Sequence, residues 1–347
     1  MPQQPHVSIV IPTYNGAAFL RECVQSALAQ TERDIEILIV DDASSDNTAR
    51  VAETIARRDP RVRVVINERN LGLVGNWNNA IRHARGDWVK FLFQDDLLAP
   101  SCVERLVAAA VATDAAFVSC ARDFVFENDP PAHDQHRYDE NRELVATLAR
   151  GGRMLPTDVA EFAIHNVGIN FVGEPTVTLL RRSVFDRMGF FDVSLAQRCD
   201  TEFWVRVGLH EGVTFVQDTL ATFRVHAASA SAVNYARRQF ADQLLDPIII
   251  LHHYLFDIAY APLRRVAGRA GSMGRLTRRF WNACADAARA MNASSGDSDT
   301  TLKDEWQRVL VGYPRLAMIP ATRRMAWLGR RCARALRRTL RPARANW

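Results

Sequence analysis

Short apolar runs alternate with amphipathic stretches over the first part of the chain. Residues 7–11, 35–40, 62–66 and 88–93 are short, rich in β-branched or aromatic side chains and bounded by turn residues, the pattern of buried strands. Between them, residues 17–30, 46–58 and 73–85 have helical length and spacing. Such alternation predicts an α/β fold with a mainly parallel central sheet and helices on both faces. From about 129 to 156 the pattern weakens into a polar, charged connection. Residues 174–180 then read as a strand, 183–188 and 201–210 as helices, and 214–217 with 220–225 as a strand pair. Beyond Tyr235 the chain reads as helical, broken near 268–274, 292–299 and Pro314.

Bulk properties narrow the class. A chain of 347 residues, 48% hydrophobic, has room for a large α/β domain with an appendage, and global disorder is excluded. The formal charge of +5 is unevenly spread: no acidic residue follows Glu305, while arginines recur to the end. Only Lys90 and Lys303 are lysines, which reads first as coding bias in a GC-rich genome. None of Cys23, Cys102, Cys120, Cys199, Cys284 and Cys332 forms a CxxC pair or a His/Cys cluster with zinc spacing. The start lacks the basic and apolar regions of a signal peptide. The most apolar stretch, 244–262, is interrupted by Asp246, Pro247, His252, His253 and Asp257. A cytoplasmic protein with reduced thiols is expected.

In open α/β sheets ligands bind beyond the carboxyl ends of the strands, so the loops there are where chemistry is sought. The first strand runs into Pro12, Thr13, Tyr14, Asn15 and Gly16. The second ends at Asp41 and Asp42, and the fourth at Gln94, Asp95 and Asp96. Asp46 alone reads as a helix cap. Two carboxylate pairs at one sheet edge repel each other unless cations or hydrogen-bond donors balance them, and that points to a site.

The segments 7–15 (VSIVIPTYN), 37–48 (ILIVDDASSDNT) and 91–100 (FLFQDDLLAP) resemble glycosyltransferase family 2. So do 173–176 (GEPT), Arg181-Arg182, 189–192 (GFFD) and 224–229 (RVHAAS), in order; the resemblance covers roughly 6–230. It implies a GT-A nucleotide-binding fold over 1–232, with a donor half to about 125 and an acceptor half over 126–232. A helical C-terminal region over 233–347 follows. It also implies an inverting transfer from a nucleotide-sugar, a UDP-sugar first, to the hydroxyl of a glycan or lipid-linked acceptor, as in bacterial surface polysaccharide or glycolipid assembly.

Residue roles follow the same resemblance. Asp42 accepts the N–H of the base, walled by Pro12 and Tyr14, and Asn70 lies in the segment that approaches the donor. Asp95, Asp96 and His226 hold a divalent cation, Mn²⁺ or Mg²⁺, with Asp95 the principal ligand. Many relatives begin that acidic motif with a further Asp where this chain has Phe93, so its task falls to Gln94 or another loop. They often have Arg where Trp77 stands, and Trp77 reads as core. Asp200 matches the catalytic base at a helix start. Glu202, two residues on, points elsewhere and reads as structural.

Other classes fit less well. No GxGxxG follows Ile11, which disfavours a dinucleotide-dependent oxidoreductase. Acidic pairs at the sheet edge would repel a polyanion, and no reader motif occurs, so no nucleic-acid partner is expected. The alternative is a catalytically inactive nucleotide-sugar-binding protein. From about Arg308 onward, arginines interleaved with Leu316, Met325, Trp327, Leu336 and Leu340 form a basic amphipathic pattern. It predicts peripheral contact with an anionic membrane surface on its inner, cytoplasmic face.

Overall fold

The computed structural model describes residues 5–127, 132–226, 229, 241–293, 298–313 and 316. The arginine-rich stretch from Arg323 onward, and with it the expected membrane contact, lies outside the described residues. A nine-stranded sheet runs in the order β3-β2-β1-β4-β8-β6-β9-β5, with β7 paired to β9. Its first half is β1 (Val7–Thr13), β2 (Ile35–Asp41), β3 (Val62–Ile66) and β4 (Trp88–Phe91), all parallel. Every residue of β1 and β2 is buried, because helices cover both faces. On one side lies α1 (Leu20–Leu28), which buries Leu20, Cys23, Val24 and Ala27, one stripe at helical spacing. The crossovers α2 (Thr48–Ala56) and α3 (Leu73–His83) complete the parallel units.

The second half mixes directions. Past β5 (Leu97–Leu98) and α4 (Cys102–Thr113) comes β6 (Phe117–Phe126). Then follow α5 (Ala132–Ala149), β7 (Arg153–Met154) and α6 (Pro156–His165). Next are β8 (Thr178–Arg181), α7 (Ser183–Met188), α8 (Cys199–Glu211) and β9 (Val213–Val225). β8 joins β4 to β6 antiparallel to both, and β6 lies parallel to β9. β5 and β7 run antiparallel to β9. The described C-terminal residues form α9 (Asp246–Phe256), α10 (Ala261–Arg269), α11 (Met273–Ala293) and α12 (Ser298–Gly312). Among the described residues no single helix is long and apolar enough to cross a membrane.

Three elements depart from the sequence expectation. The polar connection is the helix α5, whose buried positions, Val145 and Ala149, lie in its last turns, so it shows no continuous apolar stripe. Residues 175–177 form a 3₁₀ turn before β8 begins. The expected strand pair is one long strand, β9, irregular in the middle: Cys120 and Arg122 on β6 face Val216 and Ala221 on β9. Five steps along β9 therefore match two along β6, and the surplus is absorbed in a bulge.

Helix α8 is the spine of the second half, buried from Thr201 to Leu209. Its two charged core residues satisfy one another. Arg206 Nε and Nη2 each donate to a Glu202 carboxylate oxygen at 2.8 Å, and the Tyr260 hydroxyl donates to the same carboxylate at 2.5 Å. Glu202 is therefore structural, as its spacing predicts. Removing one partner of a buried ion pair leaves the other uncompensated. Glu202→Ala is expected to lower the unfolding free energy by about 3–5 kcal/mol, read by urea denaturation; an unchanged midpoint would show that Arg206 finds other acceptors.

Candidate active site

The loops beyond β1 and β2 are built first by their own hydrogen bonds. Asp41 accepts from Ser44 N at 3.0 Å and Ser44 Oγ at 2.6 Å and so shapes its own turn. Asp42 accepts from Asn67 Nδ2 (2.7 Å), Leu71 N (2.8 Å) and Gly72 N (3.0 Å), which holds the loop before α3 against the end of β2. Ala43, the next residue, is left-handed at φ 56°, a conformation costing an L-residue of this kind roughly 1–2 kcal/mol. Asn70 Oδ1 accepts from Gly72 N at 2.9 Å and thus folds back on its own loop. Asp46 accepts from Thr48 N at 2.9 Å in the first turn of α2.

The β1 and β4 loops are joined by a two-point amide pairing. Tyr14 N donates to Gln94 Oε1 at 2.9 Å, and Gln94 Nε2 donates to Tyr14 O at 3.2 Å. A Cβ on Gly16 would stand 2.1 Å from Gln94 Oε1, so glycine is required for this approach. Tyr14 itself is about half exposed.

The acidic turn after β4 separates its two carboxylates. Asp96 is fully buried; Thr176 Oγ1 donates to it at 2.5 Å and Arg224 N at 3.0 Å. Burial, then the neighbouring Asp95 charge, pushes its carboxyl well above the usual range. Asp95 instead faces His226, with Oδ2 and Nε2 2.9 Å apart. The Arg224 side chain fixes this turn from β9, donating through Nε to Asp95 O at 3.1 Å while pairing with Glu22 at 2.8 Å. Asp95 and His226 thus converge. Asp96, expected beside them as a cation ligand, is instead fully buried, one oxygen accepting from Thr176 and the other from Arg224 N. Among the described residues no cluster of three or more His, Cys, Asp or Glu side chains is assembled to hold a metal.

A cleft of about 120 Å³ opens beside Asp95. It is lined by Pro12, Gln94, Asp95, Glu174, Gln197 and Asp200, with Trp77, Phe93 and Phe223 among its apolar walls. Pockets that bury most of a ligand span roughly 300–1,000 Å³, so only part of a nucleotide sugar would enter, with the rest along the open sheet edge. Asp200, second residue of α8, accepts from Thr201 N at 2.6 Å and from Asn170 Nδ2 at 3.0 Å. Burial raises its pKa to about 7 against those bonds, helped by the negative charge of Glu174.

The structure brings Pro12, Gln94, Asp95 and Asp200 to one cleft and puts His226 against Asp95. Tyr14, Asp42 and Asn70 lie in the neighbouring loops. Three contributors escaped the sequence reading. Glu174 lies in a quoted motif and is paired with Arg122 at 2.5 Å. Asn170 holds Asp200 and carries no sequence signal. Phe93 stacks on the buried Trp77, with centroids 4.9 Å apart.

A central sheet with carboxylates converging at its carboxyl edge places the chain among GT-A folds, and known proteins share that architecture. TarS of Staphylococcus aureus, solved in complex with UDP-GlcNAc, superposes with a TM-score of 0.55 at 16% identity, covering 81% of this chain and 80% of that one. The mannosyltransferase PcManGT of Pyrobaculum calidifontis, solved with GDP-Man and Mn²⁺, gives 0.53 at 19% identity, covering 94% and 86%. At these identities the likeness is one of fold. In sequence, the uncharacterized protein MT1568 of Mycobacterium tuberculosis is 32% identical over 246 residues, 70% of this chain and 74% of its own length. Chondroitin synthase of Escherichia coli is 43% identical over 100 residues, 29% of this chain and 14% of that protein. The glycosyl transferase family 2 model matches residues 8–188, more than half of the chain. The chain belongs to that family and is a glycosyltransferase.

The raised pKa of Asp200 has a thermodynamic signature. The folded state holds this proton up to about pH 7, whereas the unfolded chain releases it near 3.8. Its stabilising effect is complete below pH 3.8 and is lost as pH rises through about 7. The stability of the wild type relative to Asp200→Asn is expected to fall across that window and flatten above it, in urea unfolding at stepped pH. A difference independent of pH would place the Asp200 carboxyl in the ordinary range.

Proposed function

We propose that this chain is an inverting, divalent-cation-dependent transferase passing a sugar from a nucleotide-diphosphate sugar, a UDP-sugar first, to the hydroxyl of a glycan or lipid-linked acceptor. The observation that carries the reading is the pairing of Asp95 with His226 beside a cleft that also holds Asp200. The ligands in the two superposed structures support a nucleotide-sugar donor, UDP-GlcNAc in one and GDP-Man with Mn²⁺ in the other. The match to part of a polysaccharide synthase supports a role in polysaccharide assembly.

The residues fit a hard cation shared with the donor. Asp95 Oδ2 and His226 Nε2 offer one oxygen and one nitrogen from the protein, and hard cations of this type commonly complete their shell with substrate phosphates and water. When bound, Mn²⁺ or Mg²⁺ would neutralise the diphosphate and the charge that develops on it. Asp42 keeps one free lone-pair direction after its three bonds, enough for the N–H of a uracil at the rim between Pro12 and Tyr14.

Chemistry falls to Asp200. Its carboxylate takes the acceptor hydroxyl proton while the acceptor oxygen attacks the anomeric carbon. The bond from that carbon to the diphosphate breaks on the opposite face with its electron pair, so configuration inverts. A base with a pKa near 7 is matched to this task, being about half ionised at neutral pH and basic enough to accept the proton. An inactive sugar-nucleotide binder would not need a carboxylate so placed.

Two measurements test the reading. With UDP as probe, the melting temperature is expected to rise only when Mn²⁺ or Mg²⁺ is present, and Asp95→Ala should abolish the rise; equal stabilisation in excess chelator refutes the cation. Asp200→Asn is expected to cut transfer by about 10²–10⁴-fold while leaving the UDP-induced shift intact. The wild-type rate should climb with pH up to about 7 and lose that dependence in the variant. A product with retained anomeric configuration rules out the single displacement.

A further inference from the structure

We infer that the C-terminal helices form part of the catalytic apparatus, with Asp246 as the positioning residue for the loop that delivers Asp200. The inference rests on the reading of Asp200 as base. It concerns residues beyond the family-matching span 8–188.

Asp246 opens α9 and is fully buried. Its Oδ1 accepts from Ala196 N at 2.8 Å, and its Oδ2 accepts from Gln197 N and Arg198 N, each at 2.9 Å. Three consecutive backbone N–H groups pointing at one carboxylate form an anion nest, with the anion supplied by a distant helix. Charge-assisted bonds of this kind are about twice as strong as neutral ones. The residues so held lie immediately before α8: Gln197 lines the cleft and Asp200 follows three positions on.

The same segment is gripped at its other end. Asp192 lies 3.0 Å from His253 Nε2 and accepts from the Tyr313 hydroxyl and from Ser194 Oγ at 2.5 Å. The flanking carboxylates of Asp192 and Asp257 raise His253 to about 9, so an imidazolium faces Asp192 at neutral pH. Asp246 and His253 stand seven residues apart on α9, on one face of the helix. At the α8 end of the segment Arg198 Nη1 donates to Gly168 O at 2.8 Å, two residues before the Asn170 that holds Asp200. Burying a carboxylate is costly, and apolar packing would attach a helix without it. What the carboxylate adds is a fixed path for residues 196–198, and through it the position of Asp200.

Asp246→Asn keeps the volume but turns one acceptor into a donor facing backbone N–H groups. The protein is assayed as the full chain, by its melting temperature, by the further rise with UDP and Mn²⁺, and by release of nucleoside diphosphate from mixed UDP-hexoses and GDP-mannose. The expected result is a kcat lowered by roughly 10–100-fold, the scale of a misplaced catalytic group, with donor KM and the UDP-induced rise unchanged. In the Asp200→Asn background, Asp246→Asn should cause no further loss, because both act through one carboxylate. Normal kcat in a folded Asp246→Asn protein overturns the inference. So does a loss that multiplies with that of Asp200→Asn, or one matched by the fraction unfolded. If Asp200→Asn alone turns over normally, the base assignment fails and the inference falls with it, an outcome distinct from the others. Should Asp246→Asn not fold, Tyr313→Phe loosens the same segment at Asp192; a fall confined to kcat is expected, and an unchanged kcat overturns the inference.

Discussion

Five carboxylates, those of Asp42, Asp95, Asp96, Glu174 and Asp200, are packed around one edge of the sheet, and their mutual repulsion is the constraint the site is built to meet. Three are answered from within the fold. Asp42 takes two backbone N–H groups and an amide, Asp96 a hydroxyl and a backbone N–H, and Glu174 the guanidinium of Arg122. Asp95 is met by His226 and Asp200 by Asn170 and Thr201, so their negative charge is only partly balanced. Of the three carboxylates that line the cleft, Glu174 is closed by a guanidinium, whereas Asp95 meets an imidazole and Asp200 neutral donors.

Much of this was legible in the sequence. Buried parallel strands leave near-continuous apolar runs, so β1 and β2 were evident from residues 7–11 and 35–40, and the half-buried edge strand β3 from its β-branched residues at 62–66. Acidic residues after β2 and β4 pointed to the correct sheet edge. The split between Asp95 and Asp96 was not legible, because adjacent carboxylates look alike until Thr176 and Arg224 arrive from distant segments. The same holds for Asn170 and Asp246, whose partners are 30 and about 50 residues away. Helix α5 escaped because, among its described side chains, the buried ones are Val145 and Ala149 in the last turns.

Departures from the family pattern are also clearer in space than in sequence. Phe93 stands where many relatives carry a carboxylate, and Trp77 where they often carry a guanidinium. Their rings stack at 4.9 Å on the wall of the cleft, and Phe191 meets Trp77 edge-on at 5.4 Å. The two positions meet in an aromatic contact and bring no charge to this wall of the cleft.

The bulge in β9 makes the site sensitive to insertions and deletions as well as to substitutions. Successive side chains of a strand alternate between its faces, so a surplus of three residues reverses the phase of everything downstream. Losing one residue from the bulge around 217–220 would turn Arg224 away from Glu22 and Asp95 without altering a single residue they touch.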